Sequence, residues 1–162
     1  MTTFELEHEP LEQLLDRVAD ADAALISLGI PRCPACLLMP PSLRELARAR
    51  PGLVVGMTVF DGPEDWAKRT DLLWPRDIHV SRSSVPVLAL LRRGRTVATR
   101  PGGAPAYILD DWLTEHLGPP AHPIPRAPSS AETSTLDRIT ARRTQQQAVK
   151  SLRDAGRGTL DT

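Results

Sequence analysis

The chain has 162 residues, 41% of them hydrophobic, and carries 20 basic and 20 acidic side chains. That balance removes any general electrostatic case for binding nucleic acid or a membrane surface. No run approaches the ~20 apolar residues that span a bilayer, and the length fits one domain with an appendage.

The first 22 residues hold seven acids against Arg17. A secretory leader needs a basic start and an apolar run, so this start is not one, and a cytoplasmic location is expected. Lasting structural disulfides are rare in that compartment. Pro10 can open a helix because its missing N–H would be unpaired there anyway. Leu11, Leu14, Leu15 and Val18 follow at helical spacing. "AALISLGI" at 23–30 reads as a buried strand and leads straight into Cys33 and Cys36, the only two cysteines.

"LLMPPSLRELARARP" then reads as a helix interrupted by Pro40 and Pro41. "GLVVGMTVF" at 52–60 is a second buried strand, and "GPEDWAKRTDLLW" at 62–74 a helix followed by loop. "VPVLALLRRGRTVATRPGG" at 85–103 forms a hairpin turning at Arg93-Gly94, where glycine supplies the positive φ. The helix at 105–117 is expected to place Tyr107, Ile108, Trp112, Leu113 and Leu117 on one face. The domain is expected to span 1–117.

Residues 118–162 begin with a proline-rich linker, and 135–156 hold the thin apolar stripe of a weakly ordered helix. Arg142-Arg143 is the densest basic point of this tail, and no nucleic-acid role is expected of it.

The cysteine spacing carries the chemistry. A helix N-terminus has unpaired N–H groups and a positive dipole end, both of which favour a thiolate. Arg32 adds a neighbouring positive charge. Cys33 is therefore expected to be the nucleophile and Cys36, one turn inward, the residue that resolves its mixed disulfide. A zinc site wants four ligands, and the pair supplies two. His8, His79, His116 and His122 stand at no spacing that completes one. No cofactor is expected beyond the redox-active pair. Two unreactive buried thiols are the remaining alternative.

With these features the sequence resembles the thioredoxin superfamily. Pro41 stands five residues after the second cysteine, where the family's helix is kinked, and "LRELA" follows its apolar pattern; Pro40 has no counterpart. Val85-Pro86 occupies the place of the family's cis-proline, and the hairpin with Gly94 and Gly102 looks like its final one. The resemblance covers residues 10–117. It implies an α/β three-layer sandwich, with a mixed central sheet between helices on both faces.

It also implies a protein-disulfide oxidoreductase. Val85, Pro86, Arg32 and Pro34 would contact a protein or peptide disulfide, the Val85 backbone would pair with it, and Pro86 would keep metals off the sulfurs. A thiol reductant or reductase would return the electrons. The departures are Arg32 in place of a tryptophan, Ser27 in place of a buried Asp, and Met57 in place of that Asp's lysine partner. The segment before Pro86 is longer by about ten residues and carries Trp66 and Trp74, either rim or cover. Alternatives are a binding or chaperone-like module, and a redox sensor with little turnover. Arg32 and the missing acid lean towards an oxidising pair, the compartment towards reduction.

Overall fold

The computed structural model describes residues 6–126 and 145–150. Helix α1 (Leu11–Val18) starts as Pro10 predicts, with Leu14 N–H bonded to the Pro10 carbonyl at 3.0 Å. Its stripe of Leu11, Leu14, Leu15 and Val18 is buried. Strand β1 (Ala24–Gly29) is buried along its whole length, as a central strand covered on both faces must be. After it come α2 (Pro34–Leu37), α3 (Met39–Ala49), β2 (Val54–Val59), α4 (Pro63–Leu72), β3 (Val87–Arg92), β4 (Arg95–Pro101) and α5 (Ala106–Leu117).

The four strands lie in the order β2-β1-β3-β4. β1 runs parallel to β2 and antiparallel to β3, and β4 returns antiparallel to β3. Side chains alternate across a strand, so the sheet buries two separate cores. Leu25, Val55, Met57, Leu88 and Leu90 pack with Leu43 and Leu46 of α3 and Leu109 and Leu113 of α5. Ala24, Ile26, Leu28, Ala89 and Leu91 pack with α1 and with Leu73, Ile78 and Val80. This is the three-layer α/β sandwich with a mixed sheet.

β2 lies at an edge of the sheet, and its outward carbonyls are capped by side chain and backbone rather than by a full strand. The Glu9 N–H bonds the Met57 carbonyl at 3.0 Å, beside a single parallel bridge from His8 to Met57. Arg17 Nη2 donates to the Val55 carbonyl at 3.1 Å and is held there by Glu9. Such capping protects an edge against pairing with another chain. It requires Gly56, because a Cβ there would collide with Leu14 Cδ1 and the Arg17 guanidinium. Gly56→Ala is expected to cost about 1–3 kcal/mol, the usual penalty of overpacking. Urea unfolding checks this through the transition midpoint, and an unchanged midpoint would show that the edge tolerates the methyl.

The segment between β2 and β3 lies over the second core. Helix α4 stops short of the expected residue 74. Trp74 precedes Pro75, which disfavours α-helical backbone at Trp74, and the chain continues as a 3-10 turn at Trp74–Arg76. Lys68 of α4 reaches Glu12 of α1 at 2.9 Å. Its hydrogen bond holds the Glu12 carboxyl below the ordinary value, though solvent screens so open a pair. Trp66 stacks on buried Phe60, with the guanidinium groups of Arg69 and Arg82 over its ring at 4.7 and 5.0 Å. It therefore covers the core, while Trp74 is exposed.

The expected face of α5 packs on the first core through Leu113, with Ile108, Trp112 and Leu117 against it, and the fully buried row also takes in Ala106, Leu109 and Asp110. Tyr107, Ile108, Trp112 and Leu117 are half-buried. Arg50, buried at the end of α3, bonds Asp110 Oδ1 through Nε at 2.9 Å, Thr114 Oγ1 through Nη2 at 2.9 Å and the Gly118 carbonyl through Nη1 at 2.9 Å. This cluster satisfies Asp110 between α3 and α5.

The compact unit built on the sheet continues to Ile124, with His122 N–H bonded to the Ala49 carbonyl at 3.1 Å. Residues from Pro125 onward group as a second unit. Of the helix expected at 135–156, residues 145–150 are helical and exposed, and the rest falls outside the described residues.

Candidate functional site

Cys33 and Cys36 sit where β1 hands over to the helical layer, and they are joined as a disulfide with Cα atoms 5.1 Å apart. Cys33 is the N-cap of α2 in extended backbone, followed by Pro34 at the first helical position. The Cys36 N–H donates to Cys33 Sγ at 3.2 Å, and the Leu37 N–H to the Cys33 carbonyl at 3.2 Å. Both cysteines are half-buried, whereas Arg32 and Pro34 are exposed. Arg32 takes positive φ to turn the chain out of the strand.

The helix behind Cys33 is interrupted, as the sequence predicts. Pro40 and Pro41 lack the N–H groups that would bond the carbonyls of Cys36 and Leu37, so the helix breaks at Leu38 after one turn. The prolines serve instead in the first turn of α3, where no donor is needed. A helix interrupted by Pro40 and Pro41 was expected and is observed, with Leu38 between the two segments keeping helical backbone. The break also leaves Leu37 and Leu38 exposed, an apolar apron next to the cysteines.

Two glycines let the surrounding elements approach. A Cβ at Gly29, the last residue of β1, would stand 3.1 Å from Cys36 Sγ. A Cβ at Gly103 would stand 2.7 Å from the Ala35 carbonyl. Gly102, next to it, donates its N–H to the Pro86 carbonyl at 2.7 Å. The turn after β4 thus touches the cysteine helix with one residue and the Pro86 segment with the other. The Val85-Pro86 peptide is cis, with Pro86 buried and Val85 half-buried. β3 starts at Val87 opposite Leu28, so one further step of the register brings Pro86 opposite Gly29, the residue beneath Cys36. Sequence reasoning singled out Gly102 but missed Gly29 and Gly103, whose role depends on neighbours distant in the chain.

Ser27 and Met57 are partners in the parallel register of β1 and β2, and both are buried on the face towards α3. No carboxylate or lysine stands at that pair. The space beside it is a cavity of about 380 Å³ that reaches Cys36. Among the described residues no cluster of three or more His, Cys, Asp or Glu is placed to hold a metal ion.

No family model matches the chain, and no curated protein matches it significantly in sequence. Solved structures do match. The chain overlays the oxidised thioredoxin of Plasmodium falciparum with a TM-score of 0.55 at 12% identity, covering 69% of this chain and 98% of that one. Thioredoxin f2 of Chlamydomonas reinhardtii overlays with a TM-score of 0.55 at 18% identity, covering 71% and 99%. A variant thioredoxin of Halobacterium salinarum gives 0.53 at 20% identity, covering 74% and 93%. At such identities the overlay speaks for architecture, and the architecture of this chain, with its Cys-x-x-Cys disulfide at the end of β1, is the thioredoxin-like fold.

Proposed function

We propose that the chain is a thiol–disulfide oxidoreductase that reduces disulfides of cytoplasmic partner proteins by cycling Cys33 and Cys36 between dithiol and disulfide. The observation that carries this reading is the half-buried disulfide, with Cys33 Sγ already accepting the Cys36 N–H. In the reduced state the same bond favours a thiolate at Cys33. That thiolate attacks one sulfur of a substrate disulfide; the other leaves as a thiolate and a mixed disulfide remains on Cys33. Cys36 then attacks Cys33 Sγ, the second substrate sulfur leaves as a thiolate, and the protein disulfide is restored.

Arg32, Pro34 and the Val85-Pro86 backbone frame the approach of the substrate segment, and exposed Leu37 and Leu38 supply apolar contact. A thiol reductant returns the chain to its dithiol form. The resemblance to thioredoxins, which share this fold, supports the same assignment.

Catalysis of insulin reduction in the presence of dithiothreitol tests the reading. The wild-type chain is expected to accelerate the reaction, and a Cys33→Ser/Cys36→Ser double variant to leave it at the uncatalysed rate. A wild-type chain without effect would sink the proposal. Retention of partner binding by the double variant would then favour a binding module.

A further inference from the structure

A cavity lies beside Cys36, on the Ser27–Met57 side of β1 and β2. Ser27 and Met57 line it between β1 and β2, Gly29 and Cys36 line it at the end of β1, and exposed Arg32 and Asp61 complete its opening towards solvent. Cys33, Val85 and Pro86 are not among its lining residues. Cys36 Sγ lies directly over Gly29, which fixes the sulfur against this side of the strand.

We infer that this cavity admits a low-molecular-weight thiol that reduces the Cys33-Cys36 disulfide by attacking Cys36, on the side away from the protein substrate. The inference rests on the redox reading above for its place in a cycle. Three observations support it. A thiolate attacks a disulfide sulfur from the side opposite the sulfur that leaves, so attack on Cys36 displaces Cys33. Cys33 is the better leaving group, because its Sγ already accepts the Cys36 N–H, and a stabilised thiolate leaves faster. The cavity volume of about 380 Å³ is in the range of a small-molecule site.

The electrons balance in two steps. A first thiolate bonds to Cys36 Sγ, the Cys33–Cys36 bond breaks, and Cys33 departs as a thiolate. A second thiolate attacks the small-molecule sulfur of that mixed disulfide, and Cys36 departs as a thiolate that takes a proton from solvent. Two small thiols become one small disulfide, and the protein disulfide becomes two thiols.

The test uses the oxidised full-length chain and mercaptoethanol. After a short exposure and an acid quench, peptide mapping by mass spectrometry is expected to find the mercaptoethanol adduct on Cys36. An adduct on Cys33 alone would overturn the inference. Ser27→Leu fills the cavity from within. It is expected to slow reduction by mercaptoethanol about tenfold or more, since blocked approach geometry carries losses of that order, and to move the remaining adduct to Cys33. An unchanged rate in that variant would also overturn it. The mapping needs only the disulfide of the unaltered chain, so it decides the inference even where Ser27→Leu does not fold. Failure of insulin reduction, by contrast, strikes the redox reading and leaves the adduct position to be judged by itself.

Discussion

Cys33→Ser is expected to abolish catalysed insulin reduction, while Cys36→Ser is expected to complete one chemical step and then stop. The asymmetry follows from the cap geometry. Only Cys33 Sγ accepts the Cys36 N–H, so Cys33 is the sulfur best held as a thiolate, and a serine hydroxyl in its place stays protonated near neutral pH. Multiple-turnover rates should fall by roughly a hundredfold or more in either variant. Their products differ. Cys36→Ser keeps the nucleophile but lacks the group that attacks the mixed disulfide, so about one equivalent of substrate stays bound through Cys33. Non-reducing electrophoresis and intact mass read that adduct directly. In Cys33→Ser no such adduct should form with a protein substrate, because the bond that favours a thiolate reaches Cys33 Sγ and not Cys36. Adducts of equal yield in both variants would reverse the assignment of roles. Wild-type turnover in Cys36→Ser would mean that resolution does not need the second cysteine.

The strand-helix alternation could be read from the sequence because burial leaves a plain signal there. The run at 23–30 is apolar because β1 is covered on both faces, and β1 is observed within it at Ala24–Gly29. The stripe of α1 was equally plain. Cys33 and Cys36 were visible through spacing alone, and the alignment of Ser27 with Met57 is matched by the strand register. What could not be read depends on contacts between segments far apart in the chain. The burial of Asp110 is satisfied by Arg50, sixty residues before it, a partner that periodicity within 105–117 cannot see. Gly29 and Gly103 look like any strand-end and turn glycines until the sulfur of Cys36 and the carbonyl of Ala35 are beside them. The double proline was legible as an interruption, because two in succession remove adjacent donors; the exposure of Leu37 and Leu38 at the break is seen only in the structure.

Arg50→Met is expected to be the most destabilising single change outside the two hydrophobic cores. Arg50 and Asp110 are both buried, and Arg50 also satisfies Thr114 Oγ1 and the Gly118 carbonyl. Removing the cation leaves a carboxylate away from water without its partner, a loss of about 3–5 kcal/mol for a buried pair. For a chain of this size each kcal/mol moves the melting temperature by about 2–4 °C, so a drop of about 6–20 °C is expected. Urea unfolding should show a lower midpoint with the slope retained. The double variant Arg50→Met/Asp110→Leu separates the pair from its burial. If the cost lies in the orphaned charge, the second substitution should restore most of what the first removes, because both partners are then apolar. Equal instability of single and double variants would instead place the cost in the bonds to Thr114 and Gly118. The cluster closes α3 onto α5 at the end of α3 remote from the cysteines, so insulin reduction per folded molecule should be unaffected. A fall in that specific rate at temperatures where Arg50→Met is fully folded would show that the clamp also sets the position of the cysteine helix.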